Sequence, residues 1–278
     1  MIAQIVAEQV GGAMERVVVT TGDSSKDSMG FGGFNSRQAV MAGSSAHVAA
    51  TKVREKALLA ASRLLEVDAS DLDIDGDEVA VRGAAQMKIS LGQIPKTLAG
   101  APGFILPGNV PPGLEATESV VIDQMTYGNG TAIAEAEVDI NTAEVKLTRI
   151  VFVHDAGKII NPTVAEGQIV GAIAHGIGNA LHEWMGYYEQ GRPLTTTLAD
   201  YLLVTMSEMP ELNLSHRETP TPLNPLGVKG IGESGVLPIP AAVASAVEDA
   251  LLPFGIRIRQ CPTRTKDLAE MLKDVGVA

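Results

Sequence analysis

The sequence predicts an α+β fold made of two blocks with a related order of elements. Segments with strand-like and helix-like patterns alternate along the 278 residues, which is typical of mixed folds. A Pro- and Gly-rich passage over 93–113 separates the two blocks. The chain is 45% hydrophobic and 19% charged, a composition that indicates a globular core. We therefore expect a first lobe over 1–92, a connection over 93–130 and a second lobe over 131–278.

The first block begins with an amphipathic pattern that Gly11 and Gly12 end. Its longest helix carries Ala and Leu side chains at core-facing spacing, and its hairpin alternates around a tight Asp/Gly turn. In chain order the predicted elements are a helix over 2–10, a buried strand over 16–23, a Gly- and Ser-rich loop over 24–38, a helix over about 43–66 and a hairpin over 72–83.

The second block opens with two apolar strands on either side of the turn Asn141-Thr142. Pro240 opens a later helix at a position that proline favours. In chain order the predicted elements are strands over 131–140 and 144–155, a helix over about 163–185, the helix that Pro240 opens, a short strand over 255–260 and a last helix over 265–274.

Composition excludes several classes of protein. A net charge of −12 argues against a nucleic-acid partner, because phosphate binding needs an excess of Lys and Arg. Cys261 is the single cysteine, which excludes an intrachain disulfide, a protein-held iron–sulfur cluster and a thiolate zinc site. The N-terminus lacks a basic region, and no apolar run reaches the 18 or so residues of a membrane span. We expect a cytoplasmic protein.

Two patterns imitate metal sites. Asp71, Asp73 and Asp75 resemble the start of an EF-hand loop, but the twelfth position is Arg82 where a bidentate Glu is needed, so a charged hairpin is the better interpretation. His175 and His182 share one helix face without a third ligand nearby, and we interpret both as packed or surface histidines.

The densest glycine cluster is GVKGIGESG over 227–235, with the spacing G-x-G-x-x-G. A dinucleotide loop needs a strand directly before it and a helix opening inside it, whereas prolines precede this cluster and the helix begins only afterwards. A serine nucleophile elbow is excluded because its fifth residue is Val236 and no strand leads into the turn.

Two interpretations of this cluster stay open from the residues alone. Glycines let a backbone approach a ligand closely, and a carboxylate in such a rigid, water-poor loop suits a general base. In the first interpretation the cluster presents Glu233 to chemistry. In the second it is a tight turn between lobes, with Glu233 on the surface.

Several segments resemble the molybdenum hydroxylases, the family of xanthine dehydrogenase, aldehyde oxidoreductase and carbon monoxide dehydrogenase. The resemblance covers nearly the whole chain, in the family's order, and corresponds to the C-terminal, molybdopterin-binding part of the large subunit. It is carried by GVKGIGESG with the following PAAVASAVEDAL, by GDSSKDSMGFGGFNSRQAVMAGSSAHVAATKVREKAL over 22–58, by HDAGKIINPTVAEGQIVGAIAHGIGNALHEW over 154–184, and by TLADYLLVTMSEMPEL over 197–212.

This resemblance implies that molybdenum is held by the dithiolene sulfurs of a molybdopterin cofactor and not by protein side chains. Glu233 matches the family's active-site base, and Gln168 matches a glutamine that hydrogen-bonds the pterin or its phosphate. Both lobes would then bind the cofactor. The remaining implied contacts are Gly32, Gly33, Phe34, Asn35, Ser36 and Arg37 in the first lobe, and Gly230 and Ser234 in the second.

The departures from the family imply partners. Family large subunits are usually far longer, and their Gly-Gln-Gly cofactor segment, expected just ahead of Met1, is absent from this chain. Two explanations stay open: the large subunit is naturally split into two polypeptides, or this chain is one piece of a larger assembly. In either case we expect an obligate partner chain that carries the N-terminal half of the molybdenum subunit, with a [2Fe-2S] subunit and an FAD subunit that accept the electrons. We favour the cytosine dinucleotide form of the pterin. The substrate stays open among aldehydes, purines, other N-heterocycles and carbon monoxide.

A second hypothesis is a non-catalytic subunit that keeps the cofactor contacts and supports chemistry elsewhere. The intact Glu233 favours the catalytic hypothesis. A further departure is the pair Phe34-Asn35, where relatives commonly have other residues, which leaves open how this loop shapes the pocket.

Overall fold

The structure is a computed structural model that describes residues 1–26, 29–30, 32–100 and 110–277. The chain forms two compact units, Met1–Met125 with Pro222–Gly227 and Thr126–Thr221 with Val228–Ala278. Each unit combines helices with a three-stranded sheet, which confirms the α+β class. No helix in the described part of the chain has the length and apolar character that crossing a bilayer requires.

The first unit places one long helix on a small antiparallel sheet. Alanines Ala57, Ala60 and Ala61 are fully buried beside Leu72 and Val79, and their small side chains let the helix lie close to the sheet. The elements are α1 (Ile2–Val10), a π-helical segment (Ala39–Gly43), α2 (Ser44–Leu65), β1 (Leu72–Asp75), β2 (Glu78–Val81), β3 (Ala84–Ser90) and α3 (Ile94–Thr97), with sheet order β1-β2-β3.

The end of α1 shows why glycine is needed there. Gly11 has a φ of 71°, and a Cβ on it would lie 2.6 Å from the backbone oxygen of Ile74. Only glycine combines the left-handed conformation with this close approach. The predicted first helix is therefore confirmed, together with its end.

The acidic hairpin uses its carboxylates in ion pairing. Asp73 accepts a hydrogen bond from the backbone N–H of Ile74 and pairs with Arg54 at 2.5 Å, and these two contacts hold the pKa of Asp73 below its usual range. Gly76 turns the chain between β1 and β2 with a φ of 61°. The hairpin predicted over 72–83 is confirmed.

The second unit has a mixed sheet covered by three helices. Strand β5 pairs antiparallel with β4 and parallel with β6. The elements are β4 (Asn129–Asp139), β5 (Glu144–Asp155), α4 (Pro162–Ile177), a π-helical turn (Gly178–His182), β6 (Glu211–Arg217), α5 (Ile239–Ala250) and α6 (Thr265–Asp274). The core contains Ile150 and Phe152 of β5, Ile169, Ile173 and Ile177 of α4, Val243 and Val247 of α5, and Leu268 and Leu272 of α6.

Local signals fix where the helices of this unit start. Asn161 accepts the N–H of Val164 at 3.0 Å as the cap of α4, and Pro162 follows it in the first turn. Pro240 stands in the first turn of α5, as predicted. Helices α4 and α5 meet at Gly176, where a Cβ would lie 2.6 Å from the Cβ of Ile239.

The strand predicted over 16–23 is wrong. A 3₁₀ turn covers Met14–Arg16, and the valines that follow have no strand partner among the described residues. Val18 is 89% exposed, although its β-branched neighbours suggest a buried strand. An apolar run becomes a strand only where a neighbouring strand accepts its backbone hydrogen bonds.

The strand predicted over 255–260 is also wrong. The N–H of Ile258 donates to the carboxylate of Glu248 at 2.8 Å, so a side chain takes the place of a strand partner. Strand β6 was missed, because its alternating pattern in ELNLSHR is short and has no neighbouring hairpin partner in the sequence. Its parallel pairing with β5 joins segments far apart in sequence.

Candidate functional site

The glycine cluster 227–235 begins at the carboxyl end of β5. Val228 forms an isolated bridge with Gly157, and the N–H of Lys229 donates to the backbone oxygen of Ala156 at 2.7 Å. Among the described residues, no strand leads into the cluster. This geometry agrees with the rejection of a dinucleotide loop, which requires a strand–turn–helix unit.

The cluster then continues as tight turns into α5. The N–H of Ser234 donates to the oxygen of Ile231 at 3.2 Å, and the N–H of Val236 donates to the oxygen of Glu233 at the same distance. The hydroxyl of Ser234 lies 3.5 Å from the backbone oxygen of Gly230. Gly230, Glu233 and Ser234 therefore belong to one short, internally bonded loop.

Gly235 fixes the distance between this loop and α4. A Cβ on Gly235 would lie 2.8 Å from the Cβ of Ala172 and 2.8 Å from the backbone oxygen of Ile169. Such distances are too short for any side chain, so position 235 requires glycine for close approach. The loop backbone thus rests directly on the helix.

The backbone of Glu233 is held by turns, whereas its side chain is exposed. The expectation of a water-poor environment for this carboxylate is therefore not met within this chain. Any exclusion of water from Glu233 would have to come from a bound group or another polypeptide.

Gln168 lies on α4 and contacts the same loop. Its side-chain nitrogen donates to the backbone oxygen of Gly232 at 3.0 Å, one residue before Glu233. The structure therefore brings Gln168 together with Gly230, Glu233 and Ser234 in the second unit. This contact joins two positions that are 64 residues apart in sequence.

The residues Gly32–Arg37 belong to the first unit, where they form a compact loop before the π-helical segment. Arg37 donates to the oxygen of Gly32 at 3.1 Å, and its guanidinium lies 3.9 Å from the centre of the Phe34 ring. Asn35 and Ser36 both adopt left-handed backbone angles, with φ of 52° and 53°. Such angles are uncommon for residues other than glycine and indicate a loop held in a specific shape.

One cluster beside the site was missed by the sequence analysis. Asp155, at the end of β5, pairs with Lys229 of the glycine cluster at 2.6 Å, and Thr219 hydrogen-bonds both side chains. Burial alone would raise the pKa of Asp155, but the hydrogen bonds from Lys229, Thr219 and the N–H of Gly157 outweigh it and hold this pKa well below its usual range. The sequence did offer one signal, because a carboxylate, Asp155 in HDAGK, and a lysine, Lys229 in GVKG, stand in two of the segments that resemble the family.

The histidines form no metal site. His154 and His216 face each other across β5 and β6, with ring nitrogens 2.8 Å apart. Burial lowers the pKa of His182, against the opposing effect of Glu208 and Glu183. Within the described residues, no three His, Cys, Asp or Glu side chains are close enough together to hold a metal ion.

Comparison with known proteins gives a family for this geometry. The model of the molybdopterin cofactor-binding domain matches residues 1–210. The nicotine 6-hydroxylase large subunit of Paenarthrobacter nicotinovorans is 35% identical over 274 residues, which are 99% of this chain and 34% of that protein.

Solved structures agree with the sequence relatives. Quinoline 2-oxidoreductase from Pseudomonas putida 86 superposes with a TM-score of 0.85 at 35% identity, covering 98% of this chain and 34% of that one. Carbon monoxide dehydrogenase from Oligotropha carboxidovorans superposes with a TM-score of 0.88 at 30% identity, covering 99% and 34%. This chain spans about a third of the length of these relatives. The chain therefore belongs to the molybdopterin cofactor-binding domain family, and its resemblance to molybdenum hydroxylase large subunits is confirmed.

Proposed function

We propose that this chain is the molybdopterin-binding subunit, the C-terminal half of a split large subunit, of a molybdenum hydroxylase in which Glu233 is the general base. The observation that carries the proposal is the loop 230–235. Its turns fix the backbone of Glu233 while the side chain is exposed, and Gln168 contacts the adjacent residue from α4. The alternative, a non-catalytic subunit that supports the cofactor, makes the same contacts without using the carboxylate.

The donors of this chain fit a pterin cofactor better than a bare metal ion. The side chains that lie together here are the amide of Gln168 and the hydroxyl of Ser234, which can donate to a heterocycle or its phosphate, and the carboxylate of Glu233, which can accept from N–H groups of a heterocycle. Within the described residues no cluster of metal ligands competes with this assignment. Molybdenum would thus be held through the pterin.

When bound, the cofactor supplies the two-electron oxidising centre for a substrate C–H bond, with the inserted oxygen derived from water. Glu233 contributes the proton acceptor, because its carboxylate takes the proton that the attacking oxygen loses. The turns from Ile231 to Val236 fix the backbone from which this carboxylate extends, which limits the reorganisation that accompanies proton transfer.

The cofactor-binding residues have separate tasks in this proposal. Gln168 supports the pterin and at the same time holds the oxygen of Gly232. Gly230 and Ser234 shape the turn that carries Glu233. In the first unit, Gly32, Gly33, Phe34, Asn35, Ser36 and Arg37 provide a rigid loop whose left-handed residues present backbone groups to the cofactor.

The same proposal includes partner chains. The chain spans about a third of its relatives, and the described segment 185–206 exposes many large apolar side chains. These are Met185, Tyr187, Tyr188, Leu194, Leu198, Leu202, Leu203 and Met206. We propose that a polypeptide carrying the N-terminal half of the molybdenum subunit covers part of this surface. Subunits with [2Fe-2S] clusters and FAD would accept the electrons, and the pterin would carry a cytosine dinucleotide.

Replacement of Glu233 tests the catalytic role. In the complex purified from its native host, Glu233→Gln should keep molybdenum and pterin content near normal, because the amide has the same shape. Turnover should fall by several orders of magnitude. General acid–base catalysis typically contributes about 10²–10⁴-fold, and we expect a loss at least that large. The measurement is kcat per molybdenum, with Glu270→Gln on the exposed face of α6 as the matched control.

Normal turnover of Glu233→Gln with full cofactor content would favour the non-catalytic alternative. Loss of cofactor in this variant would instead assign Glu233 to binding. The control Glu270→Gln should behave like the unmodified complex in both measurements.

A further inference from the structure

We propose that Lys229, Asp155 and Thr219 are positioning residues. They hold the loop 230–235 at the carboxyl end of β5 and thereby place Glu233. This inference rests on the proposed role of Glu233 and assigns the groups that keep it in place. None of the three touches the reacting atoms in this assignment. Their effect on the reaction passes through the loop backbone.

The carboxylate of Asp155 collects donors from three different segments. Gly157 N–H in the turn after β5 donates at 2.8 Å, and Thr219 after β6 donates through its N–H at 3.1 Å and through its hydroxyl. Lys229 of the glycine cluster donates through Nζ at 2.6 Å. A single side chain therefore ties the ends of two parallel strands to the loop.

The network restricts the position of both the side chain and the backbone of Lys229. Its ammonium also lies 2.7 Å from the hydroxyl oxygen of Thr219, and its backbone N–H donates to Ala156 at 2.7 Å. Backbone and side chain are thus both attached to the end of the sheet. Glu233 lies four residues further on, and the hydroxyl of Ser234 on Gly230 and the turn from Ile231 to Ser234 connect it with residue 229.

Burial makes this ion pair different from the surface pairs of the protein. The side chains of Lys229 and Asp155 are each 12% exposed, and together they form the most buried ion pair of the described residues. Exposed pairs such as Lys266–Glu270 contribute little, because water and salt screen them. Removing one member of a buried pair leaves an unpaired charge, which forces the local structure to rearrange.

A second attachment holds the loop from the other side. Gln168 fixes the oxygen of Gly232 from α4, and the missing side chain at Gly235 lets the loop rest on the same helix. The Lys229 network and the α4 contacts therefore bracket Glu233 along the chain. Loss of the network should leave the pterin contacts of Gln168 in place while the carboxylate shifts.

The test compares three variants of the purified complex by kcat per molybdenum, KM and pterin content. Lys229→Met should lower kcat by about 10²-fold, as misplacement of a catalytic group does, with KM within twofold and cofactor content unchanged. Lys229→Arg should recover most of this loss, because the guanidinium donates to the same carboxylate. Thr219→Val, which keeps the shape, should lower kcat in the same direction by a smaller factor.

Lys266→Met is the matched control, since it removes a lysine from an exposed pair, and it should leave kcat unchanged. A Lys229→Met complex with normal kcat per molybdenum but less folded protein would overturn the inference. If that complex does not assemble, Thr219→Val decides, and an unchanged kcat per molybdenum overturns the inference. Normal turnover of Glu233→Gln would instead refute the proposed function, whereas an inactive Glu233→Gln beside a normal Lys229→Met refutes the positioning role alone.

Discussion

Gln168 and Glu233 lie on different elements and are connected through one backbone carbonyl. The amide nitrogen of Gln168 donates a hydrogen bond to the backbone oxygen of Gly232, and the next residue is Glu233. A side chain placed in this way influences both the cofactor and the loop. The two functions can be separated by measuring occupancy and turnover independently.

Gln168→Ala should reduce the molybdenum and pterin content of the complex, because the variant loses the amide that supports the pterin in our proposal. The content is measured by metal analysis and by quantifying the released pterin. Val170→Ala, on the exposed part of the same helix, is the control and should keep full occupancy. Unchanged molybdenum content in Gln168→Ala would contradict the binding role.

The sequence proposes single residues of the site but does not indicate how they pair. The glycine spacing and the family resemblance both lead to Glu233, and the short distance at Gly235 explains why the cluster is rich in glycine. The network of Asp155 and Lys229 was not predicted, because the two residues are 74 positions apart and meet through the bridge between Gly157 and Val228 at the end of β5. Long-range pairing of this kind leaves no local periodicity in the sequence.

Strands β5 and β6 also bury a pair of histidines. His154 Nε2 and His216 Nδ1 are 2.8 Å apart, and the His154 ring stacks on Phe152. The charged groups that face the pair are Asp155 and, from α4, Glu166, whose carboxylate lies 3.8 Å from His216. Burial and the neighbouring His216 lower the pKa of His154 to about 4, against the opposing effect of Asp155.

This lowered pKa predicts an acid-sensitive element. Between pH 6.5 and 4 the unfolded chain binds a proton at His154 that the folded chain does not, so the free energy of unfolding falls as the pH falls. The loss amounts to about 3 kcal/mol at pH 4 and is absent above pH 6.5. The free energy of unfolding can be measured between pH 7 and pH 4.5 by pulse proteolysis in urea, applied to this chain in the complex.

His154→Gln should flatten this decline, because the amide does not titrate. Asp155 does not interfere in this window, since a carboxylate with a lowered pKa loses its stabilising effect only below its ordinary pKa near 4. An equally steep decline in His154→Gln would show that another group causes the acid sensitivity.

Secondary-structure elements were predicted correctly where the signal for the element lies within its own segment. The helix predicted over 265–274 coincides with α6, and α1 and α2 agree closely with their predicted bounds. Helices form hydrogen bonds within the segment, so their periodicity is a local signal. The strands predicted over 16–23 and 255–260 failed because a strand depends on a distant partner that local composition does not reveal.

On the scale of the molecule, we propose that this chain is one part of a larger catalytic unit. It spans about a third of its relatives, and its second unit exposes apolar side chains along 185–206. The net charge of −12 keeps the remaining surface acidic. A surface with this contrast is typical of a subunit that associates through its apolar region. Expressed alone, the chain should be poorly soluble or free of cofactor.

The most direct measurement is copurification of the tagged chain from its native host, followed by molybdenum and pterin analysis and identification of the bound polypeptides. The account predicts molybdenum and pterin in amounts equal to this chain, together with a partner that carries the N-terminal half of the molybdenum subunit and with iron–sulfur and flavin subunits. A stable, monomeric chain loaded with molybdenum would contradict the split subunit. A stable complex without molybdenum or pterin would contradict the central claim.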